Sequence, residues 1–144
     1  MKYFTSEWWS SGCEDESVFK EYQEYYSSIS EQLPADVRTL DQEHTLHDSN
    51  IESIDSDFEN NLITINLKGW DRELNNPVKY EISFIGVNKF TQTLPLDENG
   101  FRDLGYWEYE AINNGIEMRM LFASSAEISI IFNDFRFSFE PIKA

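Results

Sequence analysis

The segment Glu43-His44-Thr45-Leu46-His47-Asp48 holds both histidines of the chain beside two carboxylates. On a helix, His44 and His47 would lie one turn apart on one face. Two imidazoles and a carboxylate so placed could ligate zinc or another divalent cation, which makes His44, His47 and Asp48 the candidate metal ligands. The chain has no third histidine, and the spacing is not the His-Glu-x-x-His of zinc proteases. The competing reading is that His47-Asp48 orders the turn into the first strand, with Asp48 accepting backbone N–H bonds. Asp55-x-Asp57-x-Glu59 resembles the start of a calcium loop, but the sixth and twelfth positions from Asp55 are Asn60 and Asn66, where such a loop needs Gly and Glu. Glu108, Glu110, Glu117 and Arg119 fall on two strands joined by a hairpin. Paired carboxylates can act as acid and base when one pKa is raised. Alternation instead sends these side chains to the solvated face, where cross-strand Glu–Arg pairing is the ordinary outcome. Cys13 is followed by acids at 14, 15 and 16, which disfavour a thiolate nucleophile. There is no glycine-rich phosphate loop and no Gly-x-Ser-x-Gly. No catalytic residue is assigned, and no cofactor is expected.

Charge points toward binding. The 144 residues include 11 basic and 27 acidic ones, a formal net charge of −16. Residues 1–60 hold 3 basic and 15 acidic residues, a net of −12. A strongly negative surface repels nucleic acid and anionic membrane, so neither is an expected partner. An acidic helical face can steer a basic protein onto itself. Glu14, Asp15, Glu16, Glu21, Glu24 and Glu31 are the acids that would do this. The bland competitor is that the charge only keeps the protein soluble. Trp70, in an expected loop Gly69-Trp70-Asp71-Arg72, is the expected exposed aromatic and completes the binding surface. The chain shows neither a secretory signal nor an apolar stretch of membrane-spanning length, and a cytoplasmic location is expected.

These residues need elements to hold them. Val18, Tyr22, Tyr25, Tyr26, Ile29 and Leu33 make one apolar stripe, so the spacing predicts a helix over residues 14–32. Pro34 ends it, and Pro34-Ala35-Asp36 opens a second, shorter helix with Val37 and Leu40 inward. From about residue 51 the period becomes two, through runs at 62–67, 78–84, 107–112, 116–122, 126–132 and 135–139. Ile51, Ile54 and Phe58 fit a strand with a bulge between Ile51 and Ile54. Asn60-Asn61, Asn113-Asn114-Gly115 and Asn133-Asp134 are turn chemistry, and short connections favour antiparallel neighbours. The expected fold class is α+β, an antiparallel meander sheet of six or seven strands with the N-terminal helices packed on one face. Length fits one domain over 1–144, with a helical part at 1–50 and a β-sheet part at 51–144.

Three features resemble a recurrent group of small, poorly characterised bacterial proteins. They are the opening Tyr3-Phe4-Thr5-x-Glu7-Trp8; Leu46-His47-Asp48 followed by Ile51 and a hairpin; and Glu117-x-x-x-Leu121-Phe122 followed by Glu127-Ile128-x-Ile130-x-Phe132. The resemblance implies a small cytoplasmic protein with no established chemistry, loosely similar to toxin immunity proteins in size, acidity and architecture. The functional expectation is a non-enzymatic, acidic protein-binding module, most concretely an immunity-type inhibitor of a basic, nuclease-like toxin. The alternative is a metal- or small-ligand-binding domain, or an enzyme, built on His44, His47 and Asp48.

Overall fold

Thr5 starts the first helix, its hydroxyl accepting the Trp8 amide at 3.1 Å. The computed structural model describes residues 1–93 and 99–143. This first helix, α1 (Ser6–Ser10), buries Trp8. The longer helix, α2, runs Ser17–Ile29, and a 3-10 turn at Ser30–Gln32 finishes it. Just before α2, Asp15 Oδ1 accepts the amide of its first residue, Ser17, at 3.1 Å. Pro34 then begins α3 (Ala35–Glu43), which buries Val37 and Leu40. Helix α1 is absent from the period-based reading, because five residues are too few to show a period.

Eight strands follow: β1 (Asn50–Asp57), β2 (Leu62–Trp70), β3 (Pro77–Ile85), β4 (Lys89–Gln92), β5 (Leu104–Ile112), β6 (Gly115–Phe122), β7 (Glu127–Phe132) and β8 (Asp134–Pro141). The expected bulge is present, as a register shift between Ile51 and Ser53 on β1. The hairpin turns at 60–61 and 113–115 also form, with Asn61 at φ 51° and Gly115 at φ 139°.

The α+β meander expectation is overturned. The strands form two antiparallel four-stranded sheets, β1-β2-β3-β8 and β4-β7-β6-β5, and the chain is mainly β. The cause is a pair of adjacent crossings. Asn133 does not turn a hairpin; it carries the chain from β7 in the second sheet to β8 in the first. Residues 86–88 make the other crossing, from β3 to β4. The Asn133 amide donates to Ile85 O at 2.9 Å and the Asn88 amide to Ile131 O at 2.8 Å, so the crossings brace each other. Gly86 sits there at φ +68°, and a Cβ on it would fall 2.7 Å from Asn133 Nδ2. Around this corner Phe84 packs on Phe132 and Phe135, with ring centroids 5.2 and 5.3 Å apart. At a second corner, residues 48–51 bond to residues 101–104. Asp48 N–H donates to Leu104 O at 2.9 Å, Leu104 N–H to Ser49 O at 2.9 Å, and Ile51 N–H to Phe101 O at 3.0 Å. One hydrophobic core draws on both sheets and on α3.

Contrary to the expectation, the helices do not lie on one face; α2 packs on β5 of the second sheet and α3 on β8 of the first. Each touches an outer strand, and each satisfies that strand's free amides. Tyr22 Oη accepts the Tyr109 amide at 2.8 Å, and Tyr25 Oη accepts the Ala111 amide at 3.0 Å. Asp36 Oδ2 accepts the Phe137 amide at 3.1 Å. Covered edges of this kind prevent pairing with another chain's strand. No helix among the described residues is long and apolar enough to cross a membrane.

Candidate functional site

The helical stripe of α2 is built from tyrosines rather than leucines, and a buried tyrosine hydroxyl needs a polar partner. Two of the partners are the β5 amides above. The third is Asp41, in the last turn of α3, whose Oδ2 accepts the Tyr26 hydroxyl at 2.7 Å. Its Oδ1 faces the Trp107 indole N–H at 3.3 Å. Burial pushes the Asp41 carboxyl up to about 6 against an ordinary 3.8, while these two hydrogen bonds pull the other way. It stays ionised at neutral pH. Burial, with the Asp41 charge adding to it, raises the Tyr22 and Tyr26 hydroxyls far above 10. Tyr109 is fully buried, and its hydroxyl lacks a hydrogen-bond partner among the described residues.

Asp41 opens into a cavity of about 410 Å³ between α2, the end of α3 and the start of β5. Tyr22, Tyr26, Tyr106 and Trp107 supply its aromatic walls, and His47 stands at its side. His47 Nδ1 donates to Gly105 O at 3.2 Å, which fixes the ring against the start of β5. Gly105 is required here: a Cβ would lie 2.3 Å from the Trp9 ring, which packs edge-on against Tyr106 at 5.2 Å. Among the described residues, no lysine or arginine side chain pairs with the Asp41 carboxylate. Two arginines lie close but point elsewhere. Arg38 donates to Ser30 O at 3.1 Å, and Arg72 to the backbone oxygens of Asp41 at 3.1 Å and of Gln42.

The sequence-derived candidates are scattered. The helix that would have aligned the two histidines stops at Glu43, and His44 is extended. Its ring packs against Phe139, Phe137 and Tyr80 at 4.4, 5.4 and 5.7 Å, and burial lowers its pKa against the pull of Glu43. His47 turns instead toward β5. Asp48 adopts φ 63° at the turn into β1 and lies 3.5 Å from His47 Nε2. Among the described residues, no group of three His, Cys, Asp or Glu side chains is placed to hold a metal ion. The Asp57 carboxylate is taken up by its own hairpin, accepting Asn60 Nδ2 at 2.8 Å.

Glu14, Asp15, Glu16, Glu21, Glu24 and Glu31 are all exposed, before, on and just after α2. Trp70 is not in a loop. It is the last residue of β2, half-buried, and its carbonyl accepts the Tyr80 hydroxyl at 2.8 Å. The Glu108 group also departs from expectation, because Glu108 is fully buried rather than solvated. Residues 1–4 cover it: the amides of Lys2, Tyr3 (2.9 Å) and Phe4 (3.2 Å) donate to its carboxylate, and Arg119 Nε donates at 2.9 Å. Arg119 also pairs with Glu110 at 2.9 Å and with Glu117. This network anchors the N-terminal segment.

Residues 3–132 match the family described as protein of unknown function, DUF4085. The chain belongs to the DUF4085 family. No curated protein and no solved structure matches it. The match runs from before α1 to the end of β7, so the Asp41 cavity and most of the Glu108 network fall within the DUF4085 region, while β8 lies beyond it. The resemblance to a poorly characterised family holds at that level, and the family description names no activity.

Proposed function

We propose that this protein is a non-enzymatic binding module whose α2 surface engages a basic protein. The single observation that carries the reading is that the six acids are exposed and, among the described residues, none takes part in an ion pair. Their charge is therefore directed to solvent. Phe19 stands among them, 47% exposed, where an aromatic anchor ringed by charge suits a protein interface. Asp15 has a second task in bonding Ser17 at the start of α2, so Glu14, Glu16, Glu21, Glu24 and Glu31 are the residues to alter. The most concrete form is an immunity-type inhibitor, acting in the cytoplasm, that occupies the basic nucleic-acid site of a toxin. Small size, acidity and an exposed aromatic support it.

The experiment is capture from native lysate with the tagged protein, eluted by rising salt. A stoichiometric basic protein is expected, released as ionic strength screens the contact. Reversal of the five glutamates to lysine should abolish capture while the circular dichroism spectrum stays unchanged. Undiminished capture by that folded variant overturns the reading.

A further inference from the structure

We propose that the cavity between α2, α3 and β5 binds an alkylammonium group, with the Asp41 carboxylate as counter-ion and the rings of Tyr22, Tyr26 and Trp107 as walls. At about 410 Å³, the space is within the range that takes small organic ligands. Its one carboxylate is contacted only by neutral donors, a phenol and an indole. A carboxylate offers roughly four acceptor positions, so about two remain for an incoming N–H or for close approach of a methylated cation. A charge held away from water without a countercharge is costly, and a cation arriving in the cavity offsets that cost. Aromatic faces carry negative quadrupole potential and attract cations, Trp most strongly.

Other occupants fit less well. An anion would meet the Asp41 charge and the π faces together. A hard metal ion wants six or more oxygen ligands, and Asp41 has no second carboxylate beside it in the cavity lining. The protein's own cations do not fill the place, since the Arg38 and Arg72 guanidinium groups bond to backbone oxygens. The excess of acid over base in residues 1–60 also raises the local concentration of any organic cation. This inference is independent of the α2 surface: Asp41 and Trp107 are not among the exposed acids, and neither proposal requires the other.

The test is calorimetric titration of the full chain at about pH 7.5 with choline chloride and n-butylammonium chloride, against sodium chloride of equal ionic strength. Saturable one-to-one binding of the organic cations is expected. The uncharged carbon analogue of choline, 3,3-dimethylbutan-1-ol, should bind at least about tenfold more weakly. Asp41→Asn keeps the size; its oxygen can still accept the Trp107 indole N–H while the Tyr26 hydroxyl turns to accept from the amide nitrogen, and it should weaken the cations by about tenfold or more while leaving the neutral analogue unchanged. Absence of saturable binding, equal binding of choline and its neutral analogue, or full cation affinity in a folded Asp41→Asn protein would each overturn the proposal. The neutral-analogue comparison uses the wild-type chain, so it decides the matter even if the variant does not fold. A last arm identifies the source of the ammonium group. N-acetyl-lysine amide binding more tightly than n-butylammonium assigns the cavity to a partner's lysine, and the reverse order to a free amine; both support the chemistry.

Discussion

Asp41 carries a measurable signature in stability. Its folded pKa of about 6 lies above the ordinary 3.8. Between those values the folded chain holds a proton that the unfolded chain has lost. Stability from this group is therefore greatest at low pH, falls as pH rises across the window, and stays reduced above it. The full difference is at most about 3 kcal/mol. Asp41→Asn does not titrate, so its urea stability relative to wild type should rise from about pH 4 to about pH 7. A difference that stays flat with pH would contradict the assignment. None of this was legible from residue types, because Asp41 is one of 27 acids and stands in a segment of ordinary polar composition. The one available signal was indirect. A helix stripe of tyrosines at 22, 25 and 26 announces buried hydroxyls, and therefore buried partners, without saying which. Glu108 was legible as a strand residue opposite Arg119, a pairing that holds. Its burial was not, because the covering residues come from more than a hundred positions away in the chain.

Helix α2 guards an edge. β5 ends its sheet, and its outward amides at Tyr109 and Ala111 would be free without the hydroxyls of Tyr22 and Tyr25. Tyr22→Phe and Tyr25→Phe keep the rings and remove only the acceptors. Each should cost about 1–3 kcal/mol in urea denaturation, the range for leaving a buried donor unsatisfied. The double variant should also show faster hydrogen exchange at those two amides than elsewhere on β5. Unchanged stability in both single variants would mean that water replaces the hydroxyls. At this scale the sequence was informative. The periods of α2 and of six strands, the proline break before α3 and the bulged β1 were all readable, since each depends on neighbours within a few residues. The four-residue β4 was not, because so short an edge strand shows no alternation.

The whole molecule is held under self-repulsion by its net charge of −16. Salt shortens the screening length from about 30 Å at 0.01 M to about 8 Å at 0.15 M. The melting temperature should therefore rise over that range by roughly 2–8 °C, as about 1 kcal/mol of relieved repulsion would give. The Arg119–Glu108 pair, with Glu108 fully buried, opposes the trend only weakly, because buried pairs are screened less. A melting temperature that falls with salt would show that surface ion pairs outweigh the repulsion.

Sequence alone determined seven of the eight strands, the main helices, the hairpin turns at 60–61 and 113–115, and the acidity of the α2 surface. These are properties of local period, turn chemistry and composition, and each acts over a few residues or over the charge sum. Only the tertiary structure decided that Asn133 and residues 86–88 divert the chain between two sheets, since a turn residue specifies a change of direction and not which sheet receives the next strand. It also decided that Asp41, Tyr26 and Trp107 meet at one cavity. That meeting depends on how α2 and α3 straddle the two sheets, and it follows from the packing of the shared core rather than from any spacing along the chain.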